Sequence, residues 1–561
     1  MEYLRKNYLN VALQLLGGIV AYRLGLMIAD NPGVSVSGWI FALGPVIVLG
    51  ISIAVIKVSA QEGLKISAFF SLSPLNIGWQ VFPVIIVLAV ALGASVALNP
   101  FDFIVPILIG IIIFLFLYAV YMVLNDKSID GIGLLLISLP LMTYAEFEIT
   151  RKIEFSLEWI TIKIAIIMLF ALIWFIVNYF INKQTIVKGK FNVLVLMFIL
   201  VTFFSAVLSI DIAYSLKRWL FEIIYPIVVY FIVINSIKYE TDIRRFMAYL
   251  VAGVFLNLTL VLYYFAKYGG SELIDNRYAL YLNFADGVFV ANGLIMVIPI
   301  VIAFLASARA KSLKLLFCVI AAMGIVGLVL SFARMAQISM AVGLLLFGLN
   351  KNIRKYAVLT VAVGGLVFIF NSEKLDPYLS KYNNLRSLED VVHTSSMEER
   401  YGGWRAALGM FRDHPLTGVG IGRFNQEYAN YETLYYAPWA SGYVSMISDH
   451  NLYLNYLAET GMPGVLLLLT ILSTIVAKGI RLVKKADSDG VFKYSLLISM
   501  IVFLSNNLTD GITFAYVKEI DKGLVFWSIA AVIMSYGAMG KAQGGHVPDR
   551  GRASDVSPVS M

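Results

Sequence analysis

Residues 288–331 read VFVANGLIMVIPIVIAFLASARAKSLKLLFCVIAAMGIVGLVLS, and the reading of this stretch decides the fold. Two apolar runs, 288–306 and 313–331, flank a short basic link carrying Arg309 and Lys311, with Lys314 at the start of the second run. A helix of about 20 apolar residues crosses the ~30 Å hydrocarbon core of a bilayer. The runs do not alternate in polarity, so they suit helices and not the strands of a membrane barrel.

The pattern repeats along the chain. Similar runs lie near 9–29, 36–58, 79–98, 101–124, 159–181, 191–209, 219–237, 246–266, 335–350, 355–371, 463–479, 491–511 and 523–538. A shorter run at 130–145 reads as a span or a re-entrant segment. The expectation is an all-α, polytopic transmembrane bundle of 14–16 spans with one large helical extracytoplasmic loop. Composition agrees: 60% of the chain is hydrophobic and 14% charged, against about 25% charged in soluble domains. The net charge of +8 comes from Lys and Arg in short links between spans. That is the cytoplasmic bias of membrane proteins and does not point to nucleic acid. The single cysteine, Cys318, excludes an intrachain disulfide. Arg5 and Lys6 precede the first run without a small-residue cleavage site, so a retained first span is expected, with Arg23 snorkelling from it.

Basic clusters at Lys183/Lys188/Lys190, Lys238/Arg244/Arg245, Arg309/Lys311/Lys314, Lys351/Arg354/Lys355 and Lys478/Arg481/Lys484/Lys485 fall on every second link. Setting them in the cytoplasm puts both termini inside and the links 210–218, 267–287, 332–334 and 372–462 outside. The chain then divides into a bundle without recognised motifs (1–185), a transmembrane core (186–371), the outer loop (372–462), C-terminal spans (463–540) and a disordered tail (541–561). Lys217, Arg218, Arg277 and Arg334 stand at the outer face, where the charge bias predicts few cations. Each is either a helix-end or lipid-phosphate contact, or a ligand for an anionic group.

The outer loop holds the chemistry. Three of the four histidines lie between His393 and His450. Residues 397–412 place Tyr401, Trp404, Leu408 and Phe411 at helical spacing, and Asp413-His414-Pro415 ends that helix. The glycines of TGVGIG at 417–422 read as a tight turn against the membrane surface. Ser448 or Asp449 is expected to cap a second helix starting at His450, with Asn451, Asn455 and Glu459 on one face. Gly461 and Pro463 break it before the next span. The positive end of that helix keeps an imidazole neutral, as a general base requires. Tyr435, Tyr436, Trp439 and Tyr443 suit stacking on sugar faces or packing on the membrane. Asp487-Ser488-Asp489 reads as a solvated part of a basic link, and Asn257 and Asn507 match a glycan-acceptor pattern inside apolar runs. No Walker A, His-Glu-x-x-His or Gly-x-Ser-x-Gly pattern occurs.

Arg400, Trp404, Pro415, Gly418, Gly420, Gly422 and Phe424, followed by His450-Asn451, Leu454, Glu459, Gly461 and Gly464, resemble the signature of the O-antigen ligase and polymerase superfamily. The resemblance is specific over 390–470 and extends weakly back to about 190. It implies a metal-independent, inverting glycan transferase without cofactor in the bacterial cytoplasmic membrane, its active site facing outward. The donor is a polyprenyl-diphosphate-linked glycan and the acceptor a lipid A core sugar or another glycan. His450 matches the family's loop histidine, and Arg334 the arginine between two spans, with Ala333-Arg334-Met335 in place of Ser-Arg-Gly. Arg277 resembles the arginine before an Asn-containing helix start, with Asn292 in that place. Lys217, Arg218, Arg400, Arg405, Asn292 and Asn451 are the expected donor or glycan contacts. A polymerase of lipid-linked repeat units is the alternative within the class, and a lipid or solute flippase the alternative outside it.

Overall fold

The computed structural model describes residues 104–153, 159–187, 189–268, 281–282, 285–331, 333–351, 353–370, 395–432, 435–437, 442–444, 450–484, 489–508 and 522–543. The expected spans near 9–29, 36–58 and 79–98, the tail beyond Gln543, Arg277 and Trp439 lie outside these residues, while 541–543, expected in the disordered tail, close the last helix.

The described chain is a bundle of helices in the order α1 (Ile104–Leu124), α2 (Ser128–Ile153), α3 (Trp159–Phe175), α4 (Lys190–Val207), α5 (Ile212–Trp219), α6 (Tyr225–Ser236), α7 (Glu240–Tyr268), α8 (Gly287–Ser307), α9 (Lys311–Leu330), α10 (Arg334–Leu349) and α11 (Arg354–Phe370). The loop helices α12 (Ser395–Asp413) and α13 (Phe424–Tyr428) follow, then α14 (Leu452–Val483), α15 (Gly490–Asn506) and α16 (Lys522–Gln543). Two small antiparallel hairpins accompany them, at Tyr281–Leu282/Ala285–Asp286 and Tyr435–Ala437/Gly442–Val444. Among the described residues seven helical stretches are long and apolar enough to cross a membrane. The protein is an all-α, multi-pass membrane protein.

The apolar pattern decides which helices are central. α8 is apolar all round, and from Val290 to Ala303 its residues are buried. A helix without a polar face belongs in the middle of a bundle. α4, α9 and α10 instead present Leu196, Leu200, Phe204, Leu315, Leu316, Ile338 and Leu345 outward. In water these side chains would be costly, but against acyl chains they are in like surroundings. Hydroxyls in the helices, such as Thr202, Thr259, Thr360 and Ser499, donate to carbonyls one turn back, so no bare polar group meets lipid there.

α15 organises the site half. It runs antiparallel to α8: Phe304 meets Phe492 edge-on at 5.5 Å near one end, and Asn506 bonds Asn292 near the other. It also runs antiparallel to α10, where Tyr494 Oη donates to the Leu346 carbonyl at 2.6 Å and a Cβ at Gly343 would lie 2.6 Å from Val502. The starts of α8, α10 and α14 therefore gather at the C-terminal end of α15.

The opposite end is tied by charge. Asp489, only 2% exposed, pairs with Arg244 and accepts from Tyr536 Oη, while Lys493 lies 4.8 Å above the Tyr536 ring. Arg245 reaches Asp130 at 3.2 Å. Asp489 is thus buried in an ion pair, not solvated as the sequence suggested. A carboxylate so buried needs its partner, because removal of Arg244 would leave an uncompensated charge.

Residues 210–218 also differ from expectation. The outer link is short, and Asp211 caps α5 by accepting from Tyr214 N at 3.0 Å. α5 passes through a π-helix at Leu220–Ile224 into α6. Pro226 has no N–H for the Glu222 carbonyl, which loosens the ladder at this turn. Lys217 and Arg218 therefore stand on a membrane helix and not in a loop.

Candidate functional site

α12 forms where the sequence predicts a helix and ends at Asp413, just before Pro415. The chain then doubles back through Gly418, Gly420 and Gly422, with φ of 64°, 108° and 75°. The turn clasps α14. Val419 N donates to the Ala458 carbonyl at 2.9 Å, Gly420 N to the Glu459 carbonyl at 3.1 Å and Met462 N to the Pro415 carbonyl at 2.8 Å. A Cβ at Gly418 would overlap the backbone of Glu459, and one at Gly422 would lie 2.7 Å from the Arg218 side chain. Positive φ and close approach together demand glycine here. Ala406, Ala407, Met410, Val419, Phe424, Tyr428 and Ala458 form a small apolar core beneath the clasp.

Glu459 is the hub. Its carboxylate accepts from Gly422 N at 2.9 Å and Phe424 N at 3.1 Å, and its carbonyl also accepts from Ser205 Oγ at 2.6 Å. It is 4% exposed. Nearby Arg218 Nε lies 2.5 Å from Glu222 Oε1, with Glu222 buried in the π-turn. Lys217 lies 5.9 Å from the Phe221 ring.

α14 begins at Leu452, and its cap is Asn451, not Ser448 or Asp449. The Asn451 side-chain oxygen accepts from Tyr453 N at 3.0 Å and Leu454 N at 3.1 Å. Its amide donates to the Leu508 carbonyl at 2.9 Å, and Leu452 N to the Asn507 carbonyl at 3.2 Å. Asn451 thus has a structural task, whatever else it touches. His450 sits one residue before the cap, half-buried, with φ of 56°. A left-handed conformation costs an L-residue roughly 1–2 kcal/mol, so the junction with α15 holds the imidazole's backbone in place. Gly461 (φ 67°) kinks α14 two residues before Pro463, as the sequence suggests.

Arg334 is the first residue of α10 and is exposed. It stands at the positive end of its own helix, where a cation is disfavoured. Asn292 lies in the second turn of α8, inside the helix and 2% exposed. Arg334, Asn292, His450 and Asn451 are thus brought to one end of the bundle around the C-terminus of α15. Lys217 and Arg218 join the same end through the Glu459 hub.

The loop arginines divide. Arg405 is engaged with Glu432 in a two-pronged pair of 2.6 and 3.1 Å, and that carboxylate holds its guanidinium above the ordinary arginine range. Its charge is already answered. Arg400 is half-buried one turn before Trp404 on α12. Tyr436 and Tyr443 are cross-strand neighbours in the second hairpin.

Sequence reading missed Glu222 and Asn506 as members of this end. Glu222 stands four residues after Arg218, the spacing of a helical ion pair, but the segment read as a loop followed by a span. Asn506 is an asparagine within an apolar run and carries no local signal.

These features define a multi-pass helical membrane protein with a histidine-bearing loop clasped across one end of its bundle. Residues 316–469, a stretch from within α9 to past Glu459, match the O-Antigen ligase family, which supports the resemblance read from the sequence. No curated protein matches the chain.

Proposed function

We propose that the protein transfers a glycan from a polyprenyl-diphosphate carrier to a sugar hydroxyl, as an O-antigen ligase does, at the outer face of the bacterial cytoplasmic membrane. The observation that carries this reading is the gathering of Arg334 at the start of α10 and His450 at the start of α14 around one helix end, inside the family match. A helix N-terminus and a guanidinium are both anion ligands, so a diphosphate there answers the positive end of α10 and Arg334 together. Arg277 is assigned to the same diphosphate from the resemblance.

In the reaction, His450 takes the proton of the acceptor hydroxyl as its oxygen bonds to the anomeric carbon. The bond from that carbon to the diphosphate oxygen breaks, and its electron pair leaves with the polyprenyl diphosphate. Attack from the face opposite the leaving group inverts the anomeric centre. The arginines stabilise the charge that grows on the leaving oxygen. The donor arrives activated, so no nucleotide is needed. Among the described residues no group of three or more His, Cys, Asp or Glu is placed to hold a metal. The arginines take the electrostatic role, and transfer should persist in EDTA.

The outward orientation rests on the cations. Arg309, Lys311, Lys351, Arg354, Lys355 and Arg244 lie at the helix ends remote from His450, the arrangement of a cytoplasmic face. Whether the acceptor is lipid A core or another repeat unit separates ligase from polymerase, and we favour the ligase.

A general base contributes roughly 10²–10⁴-fold to rate. His450→Ala should lose that much transfer in purified protein while binding the lipid-linked donor as the parent does. Turnover at the parental rate would sink the mechanism. Loss of donor binding would move His450 to the diphosphate site.

A further inference from the structure

Asn506 Nδ2 donates to Asn292 Oδ1 at 2.5 Å, and the two residues are 1% and 2% exposed. The remaining groups, Asn292 Nδ2 and Asn506 Oδ1, are buried with no hydrogen-bond partner among the described residues. Turning both amides over would exchange the atom names and leave the same set: one amide nitrogen and one amide oxygen, side by side. Buried polar groups in proteins are rarely left unanswered.

We infer that the Asn292–Asn506 pair reads a hydroxyl of the glycan. The unanswered set selects the ligand. A diphosphate only accepts hydrogen bonds and would face the lone pairs of Asn506 Oδ1. A polyprenyl chain offers neither donor nor acceptor. A sugar hydroxyl does both at once: it accepts from Asn292 Nδ2 and donates to Asn506 Oδ1.

Position agrees with chemistry. Asn506 ends α15, and the next residues, Asn507 and Leu508, supply the carbonyls that complete the start of α14 beside His450. Leu508, two residues further along the chain, is 53% exposed. The cation at the start of α10 belongs to the same end. A glycan held by the pair would have its reacting end near His450 and its diphosphate near Arg334. The inference rests on the glycan-transfer reading above for the class of its ligand.

The experiment is equilibrium binding to the full chain in lipid nanodiscs with two probes. One is the oligosaccharide released by mild acid from the producing cells' own lipid-linked glycan. The other is polyprenyl diphosphate without sugar. Replacing both partners of a buried pair by apolar groups is close to neutral for stability, so the variant is Asn292→Leu with Asn506→Leu. Glycan binding should weaken about tenfold or more, with polyprenyl diphosphate binding unchanged. Arg334→Ala should show the reverse. Should the double variant fail to insert, Asn506→Ser is read in the same way. Parental glycan affinity in a folded variant overturns the inference, because the pair is then filled by water or merely joins two helices. So does an absence of glycan binding by the parental chain. A transfer assay is run beside it: glycan binding that needs the pair, without transfer in the parent, leaves the inference standing and removes the function proposed above.

Discussion

Arg334 and Glu459 show how much rests on single side chains. Arg334 occupies the first position of α10, where its charge works against the helix. In the function proposed above its ligand is the anionic diphosphate. Its planar fork grips two phosphate oxygens at once, which an ammonium does not. Arg334→Lys should therefore lose nearly as much transfer as Arg334→Ala, and full activity in a folded Lys variant would reduce Arg334 to a mere charge. Glu459 works differently, since its carboxylate answers two buried amides of the clasp. Glu459→Ala leaves both without a partner, at about 1–3 kcal/mol each. The unfolding temperature should drop and the loop should become sensitive to protease, while polyprenyl diphosphate binding at Arg334 persists.

At the scale of elements, the clasp is a backbone device. Gly418 combines φ of 64° with direct contact on the Glu459 backbone. Gly418→Ala should destabilise by at least ~1–2 kcal/mol from its conformation alone, read as a lower unfolding temperature, whereas Leu416→Ala, at a residue 72% exposed, should change little. Local signals made part of this legible. The stripe of Tyr401, Trp404, Leu408 and Phe411 predicted a helix over 397–412, and α12 spans Ser395–Asp413. The start of α14 was not legible. Ser448, Asp449 and Asn451 are all good caps, and the choice is made by carbonyls of Asn507 and Leu508, more than fifty residues downstream. The outer link before α5 was misplaced for a related reason. Lys217 and Arg218 interrupt an apolar run, and only the pairing of Arg218 with Glu222 makes a helix tolerable there.

For the whole molecule, apolar runs announce spans but not their neighbours, because one lipid-facing leucine reads like another. The arrangement is set by the few polar residues that must find partners. Asp489 is the clearest, holding the starts of α7 and α15 to the end of α16 through Arg244 and Tyr536. Asp489→Ala should cost about 1.5–3 kcal/mol, the worth of hydrogen bonds to a charged group, and lower thermal stability without changing affinity for the donor. The two ends of the bundle also make a geographic prediction. Reporter fusions at Asn384 and at Asp487 should report opposite sides of the membrane, and agreement between them would remove the outward-facing site.

The contact between the start of α14 and the end of α15 has a consequence for biogenesis. His450 leaves the ribosome well before Asn507 and Leu508, yet those two residues supply the carbonyls that receive Leu452 N and the Asn451 amide. Until α15 has entered the bilayer, the nascent chain holds its histidine on an unfinished helix end. A chain truncated at 488 should insert its earlier spans but remain inert, and supplying 489–561 as a separate fragment should restore transfer. Such timing would keep an immature transferase from touching a lipid-linked donor before its last helices have arrived.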